Sequence, residues 1–104
     1  MATNRMRPIH PGEVLREEFL APLGMNAHAL AMALHVPAPR INDILRERRA
    51  ITPETALRLA CYFDTSAQFW LNLQTAFDLR TAEAKMSARI AREVAPREAD
   101  SIAA

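Results

Sequence analysis

Along this 104-residue chain the apolar residues recur at intervals of three and four, and nowhere do β-branched or aromatic residues alternate with polar ones over the length of a strand. A half-buried strand needs a period of two and an amphipathic helix a period near 3.6, so the pattern predicts an all-α protein. Composition agrees where it bears on this: half the residues are hydrophobic and only two are glycine. The length suits one domain with a modest core. Cys61 is the one cysteine, so no disulfide can form within the chain. No stretch reads as a cleavable signal or a membrane span, which points to the cytoplasm and to no membrane partner.

Caps and prolines divide the pattern into five or six helices. The first, "HPGEVLREEFLAPLG", has Pro11 in its first turn, Val14, Leu15, Phe19 and Leu20 on one side, and Pro22 with Gly24 as its stop. Asn26 caps the second, "NAHALAMAL", which turns Leu30, Ala31 and Leu34 inward. The third lies within "HVPAPRINDILRERRAIT". Thr52, Pro53 and Glu54 make the strongest start on the chain, that of "TPETALRLACYF", with Leu57, Leu59, Ala60 and Phe63 as its apolar side. The fifth, "TSAQFWLNLQTAFDLR", is capped by Thr65 or Ser66, the former in a capping box with Gln68. Its face of Phe69, Trp70, Leu73 and Phe77 is wider than one small domain needs to cover, which suggests a subunit contact. A last helix through Ala82, Met86, Ile90 and Val94 ends at Pro96.

The third helix asks for an explanation. It carries an inward stripe of Ile41, Ile44 and Leu45, yet begins with Pro37 and Pro39 and is flanked by Arg40, Asn42, Arg46, Arg48 and Arg49. A helix that only fills a core has no use for so cationic an outer face. Two short helices joined by a tight turn, the second lined inward by Val36, Ile41 and Ile44, make a helix-turn-helix pattern. In that motif the N-terminal end of the second helix enters the DNA major groove, so its outer residues must be small or hydrogen-bonding. Prolines stiffen the insertion end at little cost, because first-turn N–H groups have no helical partner. A net charge of +1 is too small to argue for nucleic acid alone, but the first 50 residues hold seven arginines against five acids. A phosphate backbone responds to such patches.

Other chemistry finds little support. His10, His28 and His35 have no metal-ligand spacing with Cys61 or a carboxylate, so no metal is expected, and His10 reads as a neighbour of a helix cap. Cys61, between Ala60 and Tyr62, reads as a small buried thiol. There is no nucleophile with a base and an orienting acid, and no glycine-rich phosphate loop; neither an enzyme, a cofactor nor a small-molecule substrate is expected.

The segments "IHPGEVLREEFLAPLGM", "LAMALHVPAPRINDILRERRAITPETALRLACYF" and "TSAQFWLNLQTAFDLR" resemble the HigA antitoxins, a branch of the Xre-type helix-turn-helix regulators. The resemblance covers residues 9 to 80 and implies a compact five- to six-helix bundle of the lambda-repressor-like type. Around that DNA-binding domain it leaves a flexible N-terminal arm at 1–8, a helix at 81–95 for dimer or partner contact, and a frayed tail at 96–104. It implies two partners, double-stranded operator DNA and a HigB-type toxin, an mRNA endoribonuclease, together with a homodimer that represses its own operon. A stand-alone regulator without toxin, or an interaction module with weakened DNA binding, is the alternative.

Carried over by position, Ala38, Pro39, Arg40 and Asp43 match base-facing sites, with Asn42 and Arg46 beside them, and Arg48, Arg49 and the Thr52 region match backbone-contacting ones. Asp43 has a plainer reading as a helix-surface partner of Arg40 or Arg46. The expected dimer face is Phe69, Trp70, Leu73, Phe77 and Met86, and the expected toxin contact is the acids Glu13, Glu17 and Glu18. Relatives usually have glycine where this chain has His35, Glu47 and Asp64, and offer larger polar residues where it has Ala27, His28 and Ala29.

Overall fold

The structure is a computed structural model and describes residues 7–98. Most of the expected arm and the end of the expected tail lie outside the described residues. Helix α1 opens at Pro11–Val14, passes through a π-helical stretch Leu15–Leu20 and closes at Ala21–Leu23; α2 is Ala27–Leu34, α3 Ala38–Leu45, α4 Pro53–Phe63 and α5 Ala67–Glu93. The all-α expectation is met.

Helix α1 differs from the sequence reading in one respect. Pro22 does not stop the helix but sits inside its last turn, because the Ala21 N–H reaches back five residues to the Arg16 carbonyl and the widened turn absorbs the ring. The stop is Gly24, whose φ of +64° closes the helix in the left-handed conformation. His10 is itself the cap: its Nδ1 accepts from the Gly12 N–H at 2.8 Å. Gly12 has a separate task. A Cβ there would collide with the Ile44 carbonyl, so only glycine lets α1 lie directly on α3.

The last two expected helices are one. Nothing in "DLRTAEAK" breaks a helix, and α5 runs unbroken for 27 residues, with Val94 as its C-cap. Ser66 is its N-cap, accepting from the Phe69 N–H at 3.0 Å. The expected Thr65–Gln68 box does not form: the Thr65 hydroxyl accepts from the Trp70 indole at 2.8 Å, and Gln68 donates to Asn72.

Helix α2 packs on α3, α4 on α5, and α1 touches both α3 and α5. The core comprises Leu15, Leu20, Leu30, Leu34, Ile41, Ile44, Ile51, Leu59 and Trp70, with smaller residues between them. On α4 the inward residues are Thr55, Ala56 and Leu59, while Leu57 is 63% exposed. Cys61 is exposed as well, not the buried thiol expected, since it lies one turn along from Leu57 on the outer side.

Candidate nucleic-acid interface

Helix α3 is short because its ends are fixed. Pro37 stands just outside as the N-cap and Pro39 is the second helical residue, so the prolines bracket the start. At the other end Arg46 leaves the helical conformation and Glu47 turns to φ +63°. Ile41 and Ile44 are fully buried. Pro39, Asp43 and Arg46, spaced by four and three, therefore share the opposite side, with Arg40 on one flank and Asn42 on the other. Ala38 is half-buried against the core and takes less part in that outer face than its position in the motif suggests. Asn42 donates back to the Ala38 carbonyl at 3.2 Å.

Around this face the cations divide into two groups. Arg40 lies 3.9 Å from Glu54 at the start of α4, and Arg49 lies 3.6 Å from Asp43. Asp43 thus does pair with an arginine, but with Arg49 across the turn and not with Arg40 or Arg46. Such exposed pairs are worth about 0–1 kcal/mol, so a phosphate oxygen can replace the carboxylate. Arg46 and Arg48 are exposed and have no ion-pair partner among the described residues. The Thr52 hydroxyl is committed to capping α4, accepting from the Thr55 N–H at 3.3 Å. At the start of α2, His28 and Ala29 are exposed and Asn26 is the cap, so that edge of the motif has only small groups and one imidazole to offer.

Two arginines that the sequence reading passed over hold the motif in place. The Arg16 guanidinium, from α1, donates to the Leu45 carbonyl at the end of α3, with Glu17 and Glu47 beside it. Arg58, from α4, donates to the Leu34 carbonyl at the end of α2 at 2.9 Å and is steadied by Glu54. Each satisfies a terminal carbonyl and places positive charge at the negative end of a helix. Their only sequence signal is a charged residue beside an inward-facing leucine. A third support, from a neutral side chain, is Gln74, buried on α5, whose Oε1 accepts from the Ile51 N–H at 2.7 Å and whose amide donates to Asp78. It fixes the segment between α3 and α4. Burial holds the His10 imidazole below the ordinary histidine range, against the pull of Glu47 and Asp78.

The other expected contacts are spread more widely. Trp70 is fully buried and Phe77 packs edge-on against His10 at 4.8 Å, so both serve the core of this chain. Met86 follows Phe77 by nine residues, two and a half turns, and points the opposite way. The exposed apolar residues of α5 are Phe69 near its start and, on one stripe farther along, Leu79, Met86 and Ile90. Of the α1 acids, Glu13 is forked by Arg7 at 2.8 and 3.0 Å, and that hydrogen bonding holds its carboxyl below the usual range. Glu17 pairs with Arg16, while Glu18 is exposed without an ion-pair partner among the described residues. Among those residues no His/Cys/Asp/Glu cluster could hold a metal, and no helix is long and apolar enough to cross a membrane.

A helix-turn-helix family model matches residues 15–70. Virulence-associated protein I of Dichelobacter nodosus is 64% identical over 80 residues, 77% of this chain and 74% of that protein. The structure of Pseudomonas aeruginosa antitoxin HigA with the higBA promoter is similar with a TM-score of 0.86 at 53% identity, covering 88% of this chain and 100% of that one. Antitoxin GraA in complex with its operator gives a TM-score of 0.85 at 55% identity, covering 90% of this chain and 95% of its own.

Proposed function

The chain belongs to the helix-turn-helix family, in the Xre-type branch of the HigA antitoxins, and from that premise we propose that it binds the operator of its own operon as a homodimer and neutralises a HigB-type mRNA endoribonuclease. The observation that carries the DNA half is α3: a helix stiffened at its entry by Pro37 and Pro39, held from behind by Gly12 and Arg16, with Pro39, Asp43 and Arg46 outward. Arg40, Asn42, Pro39 and Asp43 face bases, with Ala38 at the edge. Arg46, Arg48, Arg49 and the Thr52 region at the start of α4 take the phosphates, which position the helix while the base contacts specify the site. One such helix reads only a few base pairs, so two copies are needed, about one turn of DNA apart. The exposed Leu79–Met86–Ile90 stripe supports a dimer through α5, with Phe69 as a second apolar contact.

For the toxin, α1 offers Glu17, paired with the Arg16 that reaches the C-terminal end of α3, and the exposed Glu18 beside it in the chain. A nuclease that holds RNA is basic, and complementary charge speeds the encounter. Co-expression with the product of the adjacent reading frame tests this half. The two are expected to co-purify, and Glu17→Lys with Glu18→Lys is expected to slow association and reduce its salt dependence while operator binding stays nearly intact. Absence of any co-purifying toxin removes the antitoxin assignment; an association rate indifferent to the charge reversal moves the contact off α1.

A further inference from the structure

On the reading of α3 as a recognition helix, on which this inference rests, we propose that Glu54 is a positioning residue for operator recognition: its carboxylate presets the Arg40 guanidinium on the outer side of α3. The carboxylate is used at both oxygens. Oε2 is forked by Arg58, accepting from Nε at 3.2 Å and from Nη2 at 3.0 Å, and Oε1 lies 3.9 Å from Arg40 Nη1. Arg58 is anchored in turn, its Nη1 donating to the Leu34 carbonyl at 2.9 Å. One run of polar contacts thus joins the end of α2, the start of α4 and the flank of α3.

Local chemistry holds each link. Glu54 is the second residue of α4, where the free N–H groups of a helix start favour a negative side chain. Arg58 follows it by four, the spacing and order in which an acid and a base meet on one helix face. Arg40 differs from the other arginines of this surface: its side chain is 32% exposed, whereas Arg46 and Arg48 stand out into solvent. Asp43, three residues on along the same helix, pairs with Arg49 and leaves Glu54 as the ion-pair partner of Arg40.

An arginine gains from a phosphate wherever it can reach one, so a cation that only meets the backbone needs no such support. Reading a base is more demanding. The planar fork meets the acceptors of a guanine edge in one orientation, and a long side chain ordered at the moment of binding loses rotamer freedom. A carboxylate already set beside the guanidinium removes part of that cost in advance. An exposed ion pair is weak, so its contribution here is orientation. On phosphates the same carboxylate acts in the opposite sense. Its charge repels every duplex alike, while its positioning counts only where Arg40 meets its base.

A double-mutant cycle on the full chain separates the two effects. Affinities for DNA from upstream of the operon and for an unrelated duplex are measured at one salt concentration for wild type, Glu54→Gln, Arg40→Ala and the double variant, and the ratio of the two affinities is read. Glutamine keeps the size of the side chain and an acceptor for Arg58 but not the charge beside Arg40. The Glu54 side chain is 61% exposed, so the core is untouched and urea unfolding should be close to that of wild type. Glu54→Gln is expected to bind the unrelated duplex at least as tightly as wild type, while the operator-to-unrelated ratio falls several-fold, toward that of Arg40→Ala. In the Arg40→Ala background the same change is expected to leave the ratio where it is. If Arg40→Ala lowers the ratio and Glu54→Gln does not, the proposal is overturned and the reading of α3 stands. An equal fall with and without Arg40 overturns it as well, since Glu54 then acts through something other than Arg40. If Arg40→Ala leaves the ratio unchanged, the reading of α3 fails and the proposal fails with it.

Discussion

At the scale of single residues, two glycines that look alike in the sequence do different work. Gly12 is needed for space and Gly24 for conformation. Gly12→Ala drives a methyl into the Ile44 carbonyl and is expected to cost about 1–3 kcal/mol, as overpacking does. Gly24→Ala meets open space and carries only the strain of φ +64°, about 1 kcal/mol. Urea unfolding of the two variants checks the order. His10 adds a pH dependence of stability whose sign follows from its burial. A histidine held below its ordinary range in the fold contributes fully above about pH 6.5 and loses that contribution as pH falls toward the folded-state value. Unfolding of wild type across pH 8 to 5 should show this loss, and His10→Asn should lack it.

At the scale of elements, the starts of the helices were legible and their supports were not. Asn26 and Thr52 are caps because short side-chain oxygens satisfy N–H groups a few residues ahead, and that chemistry is local. The joining of the last two helices has a local signal too, the absence of any breaker between Leu79 and Ala82. Arg16, Arg58 and Gln74 act on backbone groups 29, 24 and 23 residues away, and no local pattern encodes such pairings. Arg58→Met, which keeps the stem but leaves the Leu34 carbonyl to solvent, is expected to cost about 1 kcal/mol in thermal or urea unfolding. The turns give a prediction of opposite sign. His35, Glu47 and Asp64 all adopt positive φ, as expected from the glycines of relatives. Asp64→Gly removes the left-handed strain at the end of α4, and a gain of about 0.5–1 kcal/mol is expected.

At the scale of the whole molecule, the outer side of α3, the turn beyond it and the start of α4 form one surface, joined by Arg40 to Glu54 and Asp43 to Arg49. The outer face of α3 was legible because its apolar stripe, Ile41 and Ile44, turns inward, so the spacing names the opposite face. The faces of α5 were less so, since apolar spacing along it does not say which half faces the core; Trp70 is buried and Met86 exposed. Met86→Glu with Ile90→Glu is expected to turn a dimeric mass at micromolar concentration into a monomeric one and to weaken operator binding sharply, with folding intact. The reading of α3 itself is tested most directly by operator affinity as a function of salt, for wild type, Arg40→Ala and Arg49→Ala, on DNA from upstream of the operon and on an unrelated duplex. Arg40→Ala should lose about 1–3 kcal/mol on the operator and little on the unrelated duplex, while Arg49→Ala should weaken binding to both and flatten the salt slope by about one. Two folded variants that bind both duplexes as the wild type does would contradict it.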